Sequence, residues 1–158
     1  MEDNNKATLV VLGGDMDKVF AAFTIATGCA AAGMDTTMFF TFWGLNALKN
    51  GNGTGDTMMG KMVGAMLPKD ISALNPSKFS FGGMGRVMFS KMMKDKGVAS
   101  LAELRQTCID LGVHFLACKT SMDVMELRRE DLIPEVEAVV GVAKMVAEAS
   151  NSKIQLFI

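Results

Sequence analysis

The sequence predicts an α/β domain built on a mostly parallel β-sheet. Short apolar runs alternate with longer helical segments along the 158 residues, as expected where crossover helices join parallel strands. A hydrophobic fraction of 49% supplies enough apolar surface to bury both faces of one sheet. We therefore expect residues 1–158 to form one domain.

The first half of the chain predicts two strands around one helix. Residues 7–12 are apolar, a Gly-Gly-Asp turn breaks them, and residues 17–32 then have helical length and composition. Residues 36–42 are rich in Thr and Phe, which predicts a strand buried on both faces. Between residues 44 and 80 this pattern gives way to Asn, Gly, Met and Pro, so a long flexible excursion is expected there.

The second half predicts three strands and, besides a helix that begins after Cys118, three further helices. Met84, Met88 and Met92 recur at spacing four, so we expect a helix over residues 84–94 with these methionines in the core. Ser100 and Glu103 form a capping box, in which each side chain satisfies a free amide of the other, and they open the next helix. The remaining elements are strands at 113–118, 136–140 and 153–158 and a helix at 142–149.

Charge and apolar patterning exclude several classes of protein. Sixteen basic residues against seventeen acidic give a formal charge of −1, so no positive field favours nucleic acid or an anionic membrane. The polar residues 1–6 lack the order of a secretory signal, which favours a cytoplasmic location. The charge-free stretch 19–34 is too short and too rich in Thr and Gly to span a membrane, so stable membrane insertion is not expected.

Three other motifs are weak pointers to function. Residues 55–62 match a phosphate-binding P-loop at both glycines and the lysine, but Met62 stands where a hydroxyl should bind magnesium. His114, the only histidine, lies within a predicted strand, which favours a structural imidazole over a catalytic one. Several of the 15 methionines could form a soft copper site near residues 58–66, but adaptable apolar packing is their commoner use. We expect neither a metal nor a resident cofactor.

The three cysteines differ in their predicted surroundings. Cys29 lies in a small-residue helix and Cys108 on the inner face of another, where apolar burial would raise the pKa of a thiol and leave it inert. Cys118 instead ends a predicted central strand where a helix begins. Free main-chain N–H groups at a helix start favour an anion such as a thiolate, although a buried, unreactive cysteine is the alternative.

The residues after Cys118 are the predicted stabilisers of that anion. Their amides lie at the expected helix start, and they are Lys119, Thr120, Ser121 and Met122. Lys119 also brings a cation next to the thiol, whereas Asp123 in the first turn opposes it. Thr120 and Asp123 have the spacing of a second capping box.

A crevice at the carboxyl ends of the strands is the usual ligand site of an open α/β sheet. Gly13, Gly14 and Asp15 follow the first strand, and Asp15 can also serve as a helix N-cap. Trp43 follows the second strand, and together with residues 51–66 it could cover the site. We take these four residues as the predicted lining of the pocket.

Two stretches resemble the methionine-rich DsrE-like branch of the DsrE/DsrF family of sulfur-relay proteins: FFTFWGLNAL at 39–48 and GVHFLACKTSMDVM at 112–125. The likeness runs from the turn at residues 12–15 to the end of the chain. It implies a three-layer, flavodoxin-like fold with a sheet of about five mostly parallel strands, and an oligomer, often a trimer or hexamer. It also implies that Cys118 accepts a sulfane sulfur as a persulfide. Glu126 departs from the branch, which usually turns with glycine there.

This resemblance and the setting of Cys118 together predict a sulfur carrier. Cys118 would receive sulfur from a donor protein or a small sulfane compound and pass it to a partner thiol. Two other functions are consistent with the sequence. One is a flavodoxin-like module that binds a nucleotide, flavin or coenzyme A without transferring sulfur. The other is a structural subunit that forms an oligomer through the apolar helix at residues 19–34.

Overall fold

Five parallel strands form the sheet at the centre of the protein and confirm the predicted α/β fold. The computed structural model describes residues 5–158, so residues 1–4 of the predicted polar start lie outside it. The strands are β1 (Lys6–Val11), β2 (Asp35–Phe40), β3 (His114–Cys118), β4 (Val136–Val140) and β5 (Ile154–Phe157). Their order is β4-β3-β2-β1-β5, and every neighbouring pair is parallel.

Helices and short 3₁₀ turns connect these strands. The α-helices of the described residues are α1 (Met16–Ala31), α2 (Met58–Met66), α3 (Met84–Asp95), α4 (Leu101–Asp110), α5 (Lys119–Val124) and α6 (Val142–Ser150). The 3₁₀ turns are Phe42–Leu48, Ile71–Ala73, Phe81–Gly83 and Arg129–Asp131. Three of the helices, α2 to α4, lie in the long connection between β2 and β3.

The direction of the crossovers distributes the helices over both faces of the sheet. The chain steps from β1 through β2 and β3 to β4 in one direction, and then returns to β5 at the opposite edge. Because such crossovers are right-handed, α1 and α4 cover one face and α6 covers the other. This is the three-layer arrangement that the family resemblance implied.

The main core lies between the sheet and α1. Phe23 of α1 meets Phe40 of β2 and Phe115 of β3, with ring centroids 5.5 to 6.0 Å apart. All three rings are buried, and aromatic pairs at this separation add to the stabilisation from burial alone. The face of the sheet under α1 therefore holds most of the apolar packing.

The opposite face of the sheet carries a smaller apolar cluster. Its buried members are Val10, Phe39, Leu116 and Cys118. The half-buried Met145 of α6 packs against them, while α6 itself contributes no fully buried residue. Cys118 thus lies on the more lightly covered face.

The methionines of α3 point outward, contrary to the prediction that they lie in the core. Met84, Met88 and Met92 expose 71%, 48% and 53% of their surface. The face that packs inward is one residue further on and comprises Gly85, Phe89 and Met93. Gly85 requires this orientation, because an added Cβ there would lie 1.8 Å from the carbonyl oxygen of Phe79.

One of the two predicted capping boxes is present. Ser100 Oγ accepts a hydrogen bond from the amide of Glu103 at 3.3 Å, and Glu103 Oε2 accepts one from the amide of Ser100 at 2.7 Å. The second box, predicted at Thr120 and Asp123, is wrong. Helix α5 begins at Lys119 with Cys118 in the N-cap position, two residues before the predicted N-cap Thr120.

Regular structure extends into the excursion at residues 44–80, where the sequence pattern predicted none. It holds helix α2, and both of its ends enter the core through the buried side chains of Leu45, Leu48, Ile71 and Leu74. Isolated bridges pair Lys49 with Leu132 and Asn50 with Asp70. The excursion is therefore tied to the body of the protein at several points.

Candidate functional site

Cys118 is the last residue of β3 and the residue from which α5 begins. Parallel pairing aligns Ala117 with Phe40 on one side and Cys118 with Val140 on the other. Thr41, the residue after β2, therefore comes beside Cys118 at the same end of the sheet. The strand ends here because the apolar run stops and the polar residues Lys119 and Thr120 turn the chain out into a helix.

Hydroxyls and main-chain amides surround one side of the Cys118 thiol. Burial would raise its pKa, but the hydroxyl and amide of Ser121, the hydroxyl of Thr41 and the amide of Thr120 bond the thiolate and hold the pKa below its ordinary value. The hydroxyl oxygens of Thr41 and Ser121 also lie 2.7 Å apart, within hydrogen-bond distance of each other. The site therefore favours a sulfur that is ionised.

The other side of the thiol is apolar. Cys118 is 8% exposed and packs with Val10, Phe39 and Leu116. An apolar wall on one side and four donors on the other place the sulfur at the boundary between the sheet and the start of α5. Such a sulfur can act as a nucleophile, because the thiolate is the reactive form of cysteine.

Only two of the four residues predicted to stabilise the Cys118 anion contact the thiolate. These are Thr120 and Ser121. The ammonium of Lys119 pairs with the carboxylate of Asp123, so its charge is partly neutralised. The side chain of Met122 is buried in the main core on the other face of the sheet.

Thr41 is a site residue that the sequence reasoning missed. It lies in a different part of the chain, and only the pairing of β2 with β3 brings it next to Cys118. Its position near the end of the predicted strand 36–42 was the available signal, since carboxyl ends of neighbouring parallel strands share one edge of a sheet.

The predicted pocket residues lie together at the carboxyl ends of β1 and β2. An added Cβ on Gly14 would lie 2.4 Å from the carbonyl oxygen of Trp43, so this turn packs directly on the chain after β2. An added Cβ on Gly13 would likewise lie 2.4 Å from the side chain of Lys18. Half of the Trp43 surface is exposed. Asp15 is the N-cap residue of α1, but its carboxylate pairs with Lys18 at 2.7 Å rather than with helix amides.

His114 begins the strand that Cys118 ends. Four residues of extended chain separate the two by about 13 Å, so they cannot form a direct Cys–His pair. The ring nitrogens of His114 instead lie 3.2 Å from an oxygen of Asp35 and 2.5 Å from one of Glu137. This histidine links neighbouring strands at the far end of the sheet.

The two remaining cysteines have the opposite electrostatic setting from Cys118. Burial raises the pKa of Cys29, and burial also raises that of Cys108 despite a hydrogen bond with the Thr27 hydroxyl. The sulfur of Cys108 lies 3.2 Å from that oxygen. Of the three thiols, only that of Cys118 has a lowered pKa.

Glu126 ties the end of α5 to the start of α2. Its Oε2 accepts hydrogen bonds from the amides of Asp56 at 2.6 Å and Thr57 at 2.8 Å, and its Oε1 accepts one from the Thr57 hydroxyl at 2.6 Å. The bonds from Thr57 lower the pKa of Glu126. A carboxylate of the chain itself thus occupies the amides of the P-loop-like segment 55–62. Glu126 has a φ of +51°, the conformation that glycine adopts most readily.

Two cavities lie along α3 and not at the thiol. Their volumes are about 720 and 460 Å³, both are lined by Met16 and Met93, and Cys118 lines neither. Among residues 5–158, no cluster of three or more His, Cys, Asp or Glu side chains is placed to hold a metal ion. None of the helices in the described part of the chain is both long enough and apolar enough to cross a membrane.

Comparison with known proteins gives matches over nearly the full chain. Residues 3–157 match the model of the DsrE/DsrF/DrsH-like family. The uncharacterized protein YrkE of Bacillus subtilis (strain 168) is 35% identical over 99% of both chains. The sulfur carrier protein DsrE2 of Allochromatium vinosum is 31% identical, again over 99% of both chains.

Solved structures show the same fold at low sequence identity. The ychN protein from E. coli aligns over 97% of this chain and 99% of its own, with a TM-score of 0.57 and 10% identity. A protein of unknown function, MTH1491 from Methanobacterium thermoautotrophicum, aligns over 97% and 98% with a TM-score of 0.50 and 15% identity. At these identities the likeness supports the architecture alone.

Proposed function

Because the chain belongs to the DsrE/DsrF/DrsH-like family, as the resemblance of its sequence predicted, we propose that it is a sulfur carrier that holds a sulfane sulfur on Cys118. A relative that is 31% identical over nearly its whole length is named a sulfur carrier protein, which supports a sulfur-relay role. The observation that carries the assignment to Cys118 is the set of donors around its thiolate. The thiolate is the attacking form in sulfur exchange.

Loading of Cys118 is an exchange without net oxidation. The Cys118 thiolate attacks the outer sulfur of a donor persulfide, R–S–SH, and a new bond forms from Sγ to that sulfur. The S–S bond of the donor breaks, the donor leaves as the thiolate R–S⁻, and the proton stays on the transferred sulfur. With thiosulfate as donor, the same attack releases sulfite and leaves Cys118 as the persulfide anion.

Unloading repeats the same step with the roles exchanged. An acceptor thiolate attacks the outer sulfur of the Cys118 persulfide, and Cys118 leaves as its thiolate. The hydrogen bonds from Thr41, Thr120 and Ser121 assist both directions, because they stabilise the sulfur anion as nucleophile and as leaving group. Lys119 contributes less to attracting an anionic donor, since Asp123 already pairs with it.

The partners of this reaction are a sulfur donor and a protein or small molecule with an acceptor thiol. We also propose that several copies assemble through the lightly covered face of the sheet. Val142, Val146 and Phe157 expose 62%, 55% and 69% of their surface there, and burying such side chains against a second copy would stabilise an oligomer. Sedimentation velocity tests this point, and a monomer at every accessible concentration would contradict it.

Intact-mass spectrometry after incubation with thiosulfate or a small persulfide tests the carrier function. Wild type should gain the mass of one sulfur atom and lose it on treatment with a reducing thiol. Cys118→Ser should gain nothing, whereas Cys29→Ser, the same change at another buried thiol, should behave as wild type. Equal sulfur addition to Cys118→Ser would overturn the assignment.

A further inference from the structure

Helix α2 has the reverse arrangement of an ordinary surface helix. Its buried residues are Gly60 and Gly64, one turn apart. Its methionine face, defined as Met58, Met59, Met62 and Met66, exposes 90%, 66%, 54% and 80% of those side chains. A surface helix normally buries its apolar stripe and exposes its polar one. The methionine face therefore lacks a covering surface among residues 5–158.

Close packing fixes the orientation of α2. An added Cβ on Gly60 would lie 1.9 Å from Oε2 of Glu126, and one on Gly64 would lie 2.4 Å from Oγ1 of Thr54. Side chains larger than hydrogen do not fit at these two positions without displacing Glu126 or Thr54. Because only the glycine side can face the body of the protein, the methionines must face outward.

Charge along the segment that contains α2 and α3 differs from that of the rest of the chain, although two carboxylates lie at the first turn of α2: Asp56 pairs with Arg128, and Glu126 bonds the amides of Asp56 and Thr57. Residues 57–99 contain seven basic and two acidic side chains, whereas the remaining residues contain nine basic and fifteen acidic. Lys61 lies among the methionines and Lys69 follows the helix, and both are exposed. Within residues 5–158, no acidic side chain forms an ion pair with either lysine. A complementary surface would be both apolar and acidic.

The methionine face lies close to the reactive sulfur. The carboxylate of Glu126 joins the first turn of α2 to the end of α5, and Cys118 stands at the other end of α5. Six helical residues span about 9 Å, so the methionine face starts roughly 10–15 Å from Cys118. An interface of about 800 Å² on each partner is wide enough to span this distance.

From these contacts we infer that the methionine face of α2 is the docking surface for the protein that exchanges sulfur with Cys118, and that this partner presents an acidic, apolar surface. The inference rests on the proposed carrier function. Methionine suits a surface that must fit both a donor and an acceptor, because its unbranched side chain repacks easily. A nine-residue helix offers a small contact, as a transient complex requires.

A lipid surface matches α2 less well than a protein does. Helices that lie in a membrane interface carry Trp, Phe or Leu on the apolar face and many basic residues on the other. Helix α2 has the sequence MMGKMVGAM, with no aromatic residue, no leucine and one lysine. Methionine supplies all of its large exposed apolar side chains, which favours a protein partner.

Peptide binding tests the docking surface without requiring sulfur transfer. The probes are a fluorescent helical peptide rich in Leu and Glu and its twin with Lys in place of Glu, followed by anisotropy. Wild type should bind the acidic peptide about tenfold more tightly than the basic twin. The variant M58Q/M59Q/M62Q/M66Q should bind the acidic peptide about tenfold more weakly than wild type does. K61E/K69E should remove the charge preference. Circular dichroism checks that each variant is folded.

The matched control is M84Q/M88Q/M92Q, which changes exposed methionines on α3 instead. It should bind the acidic peptide as wild type does. Any of three results would overturn the docking surface. They are an equal loss of affinity for the acidic peptide in the α3 control, equal affinity of wild type for the two peptides, or wild-type affinity in the α2 variant. Binding of vesicles of equal phosphatidylglycerol and phosphatidylcholine that is lost only in the α2 variant would assign the surface to membrane instead.

A transfer assay separates this inference from the carrier function. Protein loaded with thiosulfate is mixed either with free cysteine or with the acidic peptide carrying one cysteine. The α2 variant should unload to free cysteine at the wild-type rate and to the peptide about tenfold more slowly. Equal rates to the peptide would overturn the docking surface alone. If wild type never loads, the carrier function fails, and the binding assay still decides whether α2 docks an acidic peptide.

Discussion

Removing either hydroxyl that bonds the Cys118 thiolate should raise the pKa of this thiol by about one unit. A hydrogen bond to a charged group is worth about 1.5–3 kcal/mol, and one pKa unit corresponds to about 1.4 kcal/mol. The other donors and solvent replace part of a lost bond, so we take the lower part of that range. Thr41→Val and Ser121→Ala should each show this shift, because both side chains lower the pKa of the thiol.

The double variant should exceed the sum of the two shifts. The hydroxyls of Thr41 and Ser121 lie 2.7 Å apart, so when one is removed the other is free to turn fully toward the sulfur and replaces part of the lost bond. The double variant has no such replacement, and residues that share a hydrogen-bond network are not additive for this reason. We expect a shift of more than about two units, with the amides of Thr120 and Ser121 still holding the pKa down in part.

The pH dependence of alkylation at Cys118 measures these shifts. Only the thiolate reacts, so the rate rises with pH through the pKa, and a lowered pKa places that rise at lower pH. In each single variant the rise of the alkylation rate should move to higher pH. The reaction should be slower by up to about tenfold at pH below the new pKa and unchanged well above it. Thr37→Val, the same change four residues earlier within β2 and about 13 Å away, should leave the profile unchanged. An unshifted midpoint in both Thr41→Val and Ser121→Ala would refute the role of the hydroxyls.

Three further predictions concern stability, each measured by urea unfolding. Phe40→Ala should lower the free energy of unfolding by about 3–5 kcal/mol, because it leaves a cavity beside Phe23 and Phe115, whereas Val87→Ala at an exposed position of α3 should change it little. Glu126→Gly should be more stable than Glu126→Ala, since both lose the bonds to α2 but only glycine relieves the positive φ; the reverse order would contradict this. Burial would raise the pKa of Asp17, but hydrogen bonds from the hydroxyl and amide of Ser77 lower it. The ionised carboxylate therefore stabilises the fold at pH above the unfolded pKa, and this stabilisation is lost as pH falls through the folded pKa. Ser77→Ala should therefore lose less stability on acidification than wild type.

Local sequence patterns predicted most of the elements. The run at 136–140 became β4 with the same bounds, and the Ser100–Glu103 capping box opens α4 as expected. Both depend on neighbouring residues alone. The position of Cys118 at a strand-to-helix junction followed for the same reason.

Tertiary contacts decided the features that the sequence did not predict. The spacing of four in α3 showed that the methionines share one face of the helix, but not whether that face packs on the core or points to solvent. The close contact of Gly85 with Phe79 decides this and turns the methionines outward. Gly60 and Gly64 belong to the glycine-rich stretch that predicted a flexible excursion, yet they are what allows helix α2 to approach Glu126 and Thr54. The role of Thr41 depends on the order of the strands, which no local pattern contains.

Under the proposed function, the position of Cys118 reconciles two requirements of a sulfur carrier that oppose each other. A persulfide must be shielded from oxidants and stray thiols, which favours burial, but burial disfavours the anion that attacks and leaves. The β3 side of the residue supplies shielding through Val10, Phe39 and Leu116, which leave it 8% exposed. The α5 side supplies the donors that restore ionisation. Only a residue at the junction between a buried strand and a helix start has both surroundings at once, and of the three thiols only Cys118 lies at such a junction.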